Sequence, residues 1–273
     1  MLKQIASPVD TKRIPNTLII LAGGYGTRIS EETSNKPKPM VMIGEMPILW
    51  HLMKYYSSFG VNNFIICCGY KGYVIKEYFL NYKAHNSSMT IDISNNSIDY
   101  RSEFDEKWKV TLLDTGLHSM TGGRLKAALE FSNEDCFYFT YGDGLSNVDL
   151  KELTNFHSSG NQLVTMTAVQ PPGRFGSLVW AAKDSSEISK FTEKPKGDGA
   201  WINGGFFVLQ REVLSELKDS SCVWEGAPLS HFATSGQLRA YKHYDFWYPM
   251  DTLRDKTFLN ELWKTPGCPW RTW

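Results

Sequence analysis

Apolar residues fall along this chain in short, nearly unbroken runs separated by polar turns. Thr17–Leu21 (TLIIL), Asn63–Cys68 (NFIICC), Val110–Asp114 (VTLLD) and Cys136–Tyr141 (CFYFTY) each have the length of one strand buried on both faces. Between the first two runs the period changes. Ile48, Leu49, Leu52, Met53 and Tyr56 recur at helical spacing, Pro47 stands at the start, and Gly60 stops the pattern. A second helix is expected over Tyr73–Tyr82 and a third over Arg124–Phe131. Strand, helix, strand, helix at this spacing predicts an α/β fold with a parallel sheet and right-handed crossovers. Ligands of such sheets sit at the carboxyl ends of the strands.

The pattern is weaker elsewhere. His85–Lys109 is polar and reads either as a hairpin (Met89–Ser94 with Ile98–Arg101) or as a loop. The second half is richer in strand signals: Gln162–Val169, Ser177–Ala182, Glu187–Thr192 and Trp201–Gln210, with Lys183–Ser186 as a turn. Helices follow at Arg211–Leu217, Pro228–Ala233 and Leu253–Trp263. No internal repeat or linker divides the chain. We expect an N-terminal extension over 1–16 and one domain over 17–273, built of a first half to about 150 and a second half over 151–273.

Composition removes several partners. The 29 basic and 29 acidic residues among 273 balance, which gives no electrostatic case for nucleic acid or a membrane surface. No apolar run is long enough to span a bilayer. Five cysteines, none in CxxC spacing, fit reduced thiols in the cytosol. Nine tryptophans, several beside glycines and acids in the second half, suggest a pocket that stacks on a flat ligand or sugar face.

The chemistry concentrates after the first strand. Leu21-Ala22-Gly23-Gly24-Tyr25-Gly26-Thr27-Arg28 leaves backbone amides open to a bulky anion. Arg28 adds a forked cation suited to phosphate, and Lys38 follows between Pro37 and Pro39. The loop is neither a Walker A sequence nor a dinucleotide fingerprint, since Gly26 is followed by Ile29 rather than glycine at the third position. A second small-residue loop, Thr115–Arg124, precedes the third helix. Asp143, between Gly142 and Gly144 at the end of a buried strand, reads as a Mg²⁺ ligand or as a turn former. Asp251 stands at a helix entry, as a cap or as a second metal ligand. Lys194, Glu193 and Asn203 supply a cation, an acceptor and a two-way hydrogen bonder that suit a phosphorylated sugar.

These motifs together resemble the sugar-nucleotide pyrophosphorylases. The resemblance rests on Leu21–Arg28, Pro37–Met40, Tyr141–Asp143, Pro172–Gly176, Glu193–Pro195 and Asn203–Phe206, in that order, with Ile29 in place of the usual leucine. Cys67–Gly72, Ser119–Leu125 and Pro249–Lys256 make it similar to the cytidylyl-transferring members. The resemblance implies a Rossmann-like, mainly parallel sheet with a smaller sugar-side sheet, of the GT-A-like kind. It implies CTP and glucose 1-phosphate as substrates, with CDP-glucose and pyrophosphate as products, and Mg²⁺ on Asp143 and Asp251. Arg28 and Lys38 would be catalytic. Leu21, Ala22, Gly23, Gly24, Gly26, Thr27, Ser119, Thr121, Arg124 and Gly142 would line the nucleotide, with Arg124 either donating to the base or lying on the surface. Gly176, Glu193, Lys194, Asn203 and Trp224 would hold the sugar phosphate. A homo-oligomer is the family expectation. A related enzyme using UTP or dTTP, and a metal-dependent glycosyltransferase, are the rival readings.

Overall fold

The structure is a computed structural model that describes residues 14–101, 106–171, 173, 176–194, 196 and 200–273. Most of 1–16 and parts of the Pro172–Gly176 and Glu193–Pro195 motifs therefore lie outside the described residues. Eight strands form the main sheet: β1 (Thr17–Ala22), β2 (Asn63–Cys68), β3 (Lys109–Asp114), β4 (Cys136–Tyr141), β5 (Val164–Val169), β6 (Ile202–Asn203), β7 (Phe207–Gln210) and β8 (Leu238–Lys242). β1 is central. It pairs in parallel with β2 on one side and with β4 on the other, and β3 extends the parallel set beyond β2. The order β4-β1-β2-β3 reverses beside β1, so the loops after β1 and β4 open on one crevice.

The sheet continues through the second half of the chain. β7 pairs antiparallel with β4, and β5 takes β7 and β6 antiparallel and β8 in parallel. The single strand expected over Trp201–Gln210 is thus broken, because Gly204–Phe206 bends out with positive φ at Gly205 and Phe206. β8 was not foreseen, since Leu-Arg-Ala-Tyr-Lys carries little apolar signal. The segment at 85–109 does contain a hairpin, Ser88–Asp92 with Ser97–Arg101.

Among the described residues, six α-helices have eight or more residues: α1 (Ile48–Ser58), α2 (Gly72–Leu80), α3 (Thr121–Phe131), α4 (Leu150–Ser158), α5 (Ala227–Thr234) and α6 (Leu253–Trp263). Alternate residues of β1 feed two separate cores. Leu18 and Ile20 join α1 residues such as Leu52 and Tyr56, while Ile19 and Leu21 join Leu125 and Leu129 of α3. This two-sided burial is why the strands read as continuous apolar runs. Arg211–Glu216 is a 3₁₀ turn rather than the expected α-helix. α3 begins at Thr121, three residues before expectation, because Gly122 and Gly123 pack their faces against the Ser220–Cys222 backbone.

Four of the nine tryptophans gather in one aromatic cluster. Trp263 and Trp270 stack on each other, and Trp50 and Trp273 join them around α1. His51 is the polar centre of that cluster. Its Nε2 donates to the Ile43 carbonyl at 2.8 Å, and its Nδ1 accepts from Trp270 Nε1 at 3.3 Å. The ring is fully buried and neutral, and burial pulls its pKa down to about 4. The unfolded chain, with a histidine pKa near 6.5, takes up a proton before the folded one does. The part of the unfolding free energy linked to His51 should therefore hold above about pH 6.5, fall by up to about 3 kcal/mol toward pH 4, and level off below it. Urea titrations of wild type and His51→Gln across this range check it: the variant should lack that part of the slope. Parallel pH profiles for the two proteins would refute it.

Candidate active site

Every residue expected to hold the nucleotide lines one cleft of about 590 Å³, and Asp143 and Asp251 line it too. Its floor is the carboxyl end of β1 and β4. Gly142 allows the two strands to close there: its amide donates to the Leu21 carbonyl at 3.0 Å, and a Cβ would meet that oxygen at 2.7 Å. One wall is the loop after β1. Gly26 turns it in the left-handed region, at φ 63°, where a side chain would also strike Thr33. The facing wall is Leu117–Thr121. The two loops meet at the rim, where the Tyr25 hydroxyl lies 3.4 Å from His118 Nδ1. The second small-residue loop does lie across from the first.

Four charges converge in the cleft. Lys38 Nζ donates to Asp143 Oδ2 at 2.7 Å and to Asp251 Oδ1 at 2.6 Å. Arg28 Nη1 reaches Asp251 Oδ2 at 3.3 Å, with its side chain 77% exposed at the mouth. Burial works to lower the Lys38 pKa, but the two carboxylates outweigh it and hold the ammonium above its usual range. Burial likewise works to raise Asp251, and Lys38 and then Arg28 overcome it and keep the carboxyl ionised. Asp251 is free for this task because Thr252 caps α6 instead. The Thr252 hydroxyl accepts from Asp255 N, and Asp255 answers in a reciprocal capping box. The cap of α6 thus lies one residue beyond Asp251, which does not serve as the cap.

The donor set fits Mg²⁺. Two carboxylates with no cysteine or histidine beside them make a hard, oxygen-only site. No cluster of three or more histidine, cysteine or acidic residues occurs among the described residues. Mg²⁺ does not require one, since it is held through one or two carboxylates plus substrate phosphates and water.

Arg124 departs from the surface reading. It is 4% exposed, so it is not a surface residue. Its Nη1 donates to the Cys68 carbonyl at 3.1 Å, the Thr115 hydroxyl at 2.5 Å and the Gly116 carbonyl at 2.9 Å. Its Nη2 donates to the Gly23 carbonyl at 3.1 Å and the Leu117 carbonyl at 3.3 Å. Both terminal nitrogens are committed to backbone and hydroxyl oxygens, so the side chain ties the two cleft walls to the end of β2. Burial lowers its pKa, countered mainly by Cys67 and Cys68.

The sugar-side expectations divide. Asn203 Nδ2 donates to the Tyr141 hydroxyl, which lines the cleft, at 3.1 Å. Glu193 and Lys194 do not line it; they are 62% and 64% exposed beyond the hairpin Ser177–Trp180 with Ile188–Thr192. Gly176 faces Phe191 and Glu193 at the same hairpin. Trp224 is corrected outright: it is fully buried among Phe139, Phe207 and Phe232 and offers no face to a sugar. Its neighbour Glu225 is the residue sequence reasoning missed, accepting from both Tyr141 and Thr121.

The comparisons agree with this geometry. A family model described as nucleotidyl transferase matches residues 17–246. A glucose-1-phosphate cytidylyltransferase of Salmonella typhimurium is 53% identical over 256 residues, covering 93% of this chain and 98% of that protein. The crystal structure of HddC from Yersinia pseudotuberculosis superposes with a TM-score of 0.64 at 24% identity, covering 91% of this chain and 100% of that one. A UDP-glucose pyrophosphorylase complexed with UDP-glucose gives 0.63 at 18% identity, covering 92% and 98%; these two likenesses speak to the fold. The chain belongs to the nucleotidyl transferase family.

Proposed function

We propose that this protein joins CTP and glucose 1-phosphate to give CDP-glucose and pyrophosphate. The observation that carries the reaction is Lys38 held between Asp143 and Asp251 beneath the glycine loop. The choice of cytosine and glucose rests on the 53% identical Salmonella relative.

A phosphate oxygen of the sugar attacks the α-phosphorus of CTP in line. The bond from that phosphorus to the bridging oxygen breaks, and pyrophosphate leaves with the electron pair. No group of the protein becomes covalently attached, so catalysis is positioning and charge stabilisation. Amides of Gly23–Thr27 face the triphosphate. Arg28 meets the leaving pyrophosphate at the mouth. Lys38 follows the charge that builds on the α-phosphate. Asp143 and Asp251 would hold Mg²⁺, which neutralises phosphate oxygens when bound. Arg124 keeps the base-side wall closed. Glu193 and Lys194 reach the sugar phosphate once their hairpin folds toward the cleft.

Five cysteines without disulfides fit a reducing, cytosolic setting, and no helix among the described residues is long and apolar enough to cross a membrane. A homo-oligomer is part of the same reading. Two hairpins outside the main sheet, Ser88–Asp92 with Ser97–Arg101 and Ser177–Trp180 with Ile188–Thr192, expose apolar side chains: Met89, Ile91 and Ile98 on one, Val179, Trp180 and Phe191 on the other, each at 42% or more. Two-stranded ribbons are marginal alone in water, and such patches mark contact surfaces.

Two outcomes test this. With Mg²⁺ and glucose 1-phosphate, pyrophosphate release should be strong with CTP and weak with UTP, dTTP and ATP. Lys38→Ala should lower the CTP rate by roughly 10²–10³-fold. Turnover with UTP or dTTP in place of CTP would sink the cytidylyl assignment, and no turnover with any of the four would sink the reaction. Light scattering should return a mass above the 31.1 kDa chain, and Ile91→Lys with Ile98→Lys should lower it. A monomeric wild type would refute the assembly.

A further inference from the structure

Glu225 sits in the turn before α5, and its carboxylate is held by two hydroxyls of the cleft wall. Tyr141 donates to Oε1 at 2.6 Å and Thr121 to Oε2 at 2.6 Å. Each hydroxyl oxygen also accepts: Tyr141 from Asn203 Nδ2 at 3.1 Å, and Thr121 from Trp224 N at 2.9 Å. Asn203 is fixed in turn, its Oδ1 accepting from Gly205 N at 2.9 Å. Both arms of the chain of donors therefore end on Glu225.

That direction has a chemical consequence. A hydroxyl has one proton and two lone pairs. Tyr141 and Thr121 spend their protons on the carboxylate, so toward the cleft they present oxygen only. An acceptor-only wall with a carboxylate behind it repels phosphate and welcomes a group that donates. Hexose hydroxyls are such groups. The arm through Asn203 runs to the sugar-side strand β6. Tyr141 also stands two residues before Asp143, where the sugar phosphate must approach.

We propose that Glu225, with the Tyr141 and Thr121 hydroxyls it orients, is a specificity-determining element that accepts hydrogen bonds from hydroxyls of the hexose. This rests on the sugar 1-phosphate reading above. Hydrogen bonds involving a charged group are worth enough to read kinetically, at about tenfold or more each.

The test is steady-state pyrophosphate release by wild type, Glu225→Gln and Tyr141→Phe, each substrate being varied with the other saturating. The carboxamide of Glu225→Gln turns one acceptor into a donor, and Tyr141→Phe cuts the link to Asn203. Both variants should raise the KM for glucose 1-phosphate by about 10-fold or more. The KM for CTP should stay within about twofold. Both should also narrow the preference for glucose 1-phosphate over its deoxy analogues. A rise confined to the KM for CTP would assign Glu225 to the nucleotide and overturn the proposal. Equal losses for both substrates with a lowered melting temperature would make the carboxylate a structural strut, and unchanged constants would also overturn it. A wild type that releases no pyrophosphate from CTP fails the reaction itself, a result distinct from any of these.

Discussion

The ion cluster of Lys38 with Asp143 and Asp251 is the contact on which the cleft depends. It joins positions 105 and 213 residues apart, which no local element could bring together. A lysine with its side chain 12% exposed, between two partly shielded carboxylates, is poorly solvated and stands only because its partners are ionised. Arg28 on the far oxygen of Asp251 leaves the four side chains formally neutral. A neutral cluster under a loop of open amides is a site that a polyanion can enter without meeting net negative charge. It also holds one oxygen of each carboxylate within 2.7 Å of the same ammonium.

The sheet makes that convergence possible. β1 and β4 are neighbours, so the glycine loop and Asp143 leave the sheet side by side. Asp251 arrives from the opposite end of the chain, through Pro249 paired with Gly144 and Met250 N donating to the Asp143 carbonyl at 2.8 Å. The capping box of α6 then fixes the residue after it. Arg124 does for the walls what Lys38 does for the floor. One buried guanidinium donates to carbonyls at the end of β2 and in the loops after β1 and β3, and so ties the walls together.

Much of this was legible because the relevant signals are local. Strands β2 and β4 are buried on both faces, so their apolar runs mark their ends to the residue, and α6 was bounded by its own periodicity. The glycine loop, Arg28, Lys38 and Asp143 could be assigned because backbone exposure and fixed cations are properties of short stretches. What stayed hidden is relational. Nothing in Trp224-Glu225 says which of the two faces the ligand. The tryptophan carries the larger surface and the sequence favoured it, yet its size is what sends it into the core between Phe139 and Phe207. Likewise, an arginine opening a helix reads as exposed or ligand-bound. Only the folded loops show that five oxygens already await it.

The same contrast separates the two halves of the site in how they are built. The nucleotide side rests on strands of the central sheet and on an arginine with no freedom left, so it is formed before any ligand arrives. The sugar side is divided between a fixed part and an open part. Tyr141, Asn203 and Glu225 are locked to one another by short hydrogen bonds, whereas Glu193 and Lys194 stand exposed past a ribbon that shares no strand with the main sheet. On the proposed reading, the fixed wall would accept from the hexose hydroxyls, while Glu193 and Lys194 would have to reach the sugar phosphate from a ribbon outside the main sheet. The difference between the two parts follows from which segments the sheet holds.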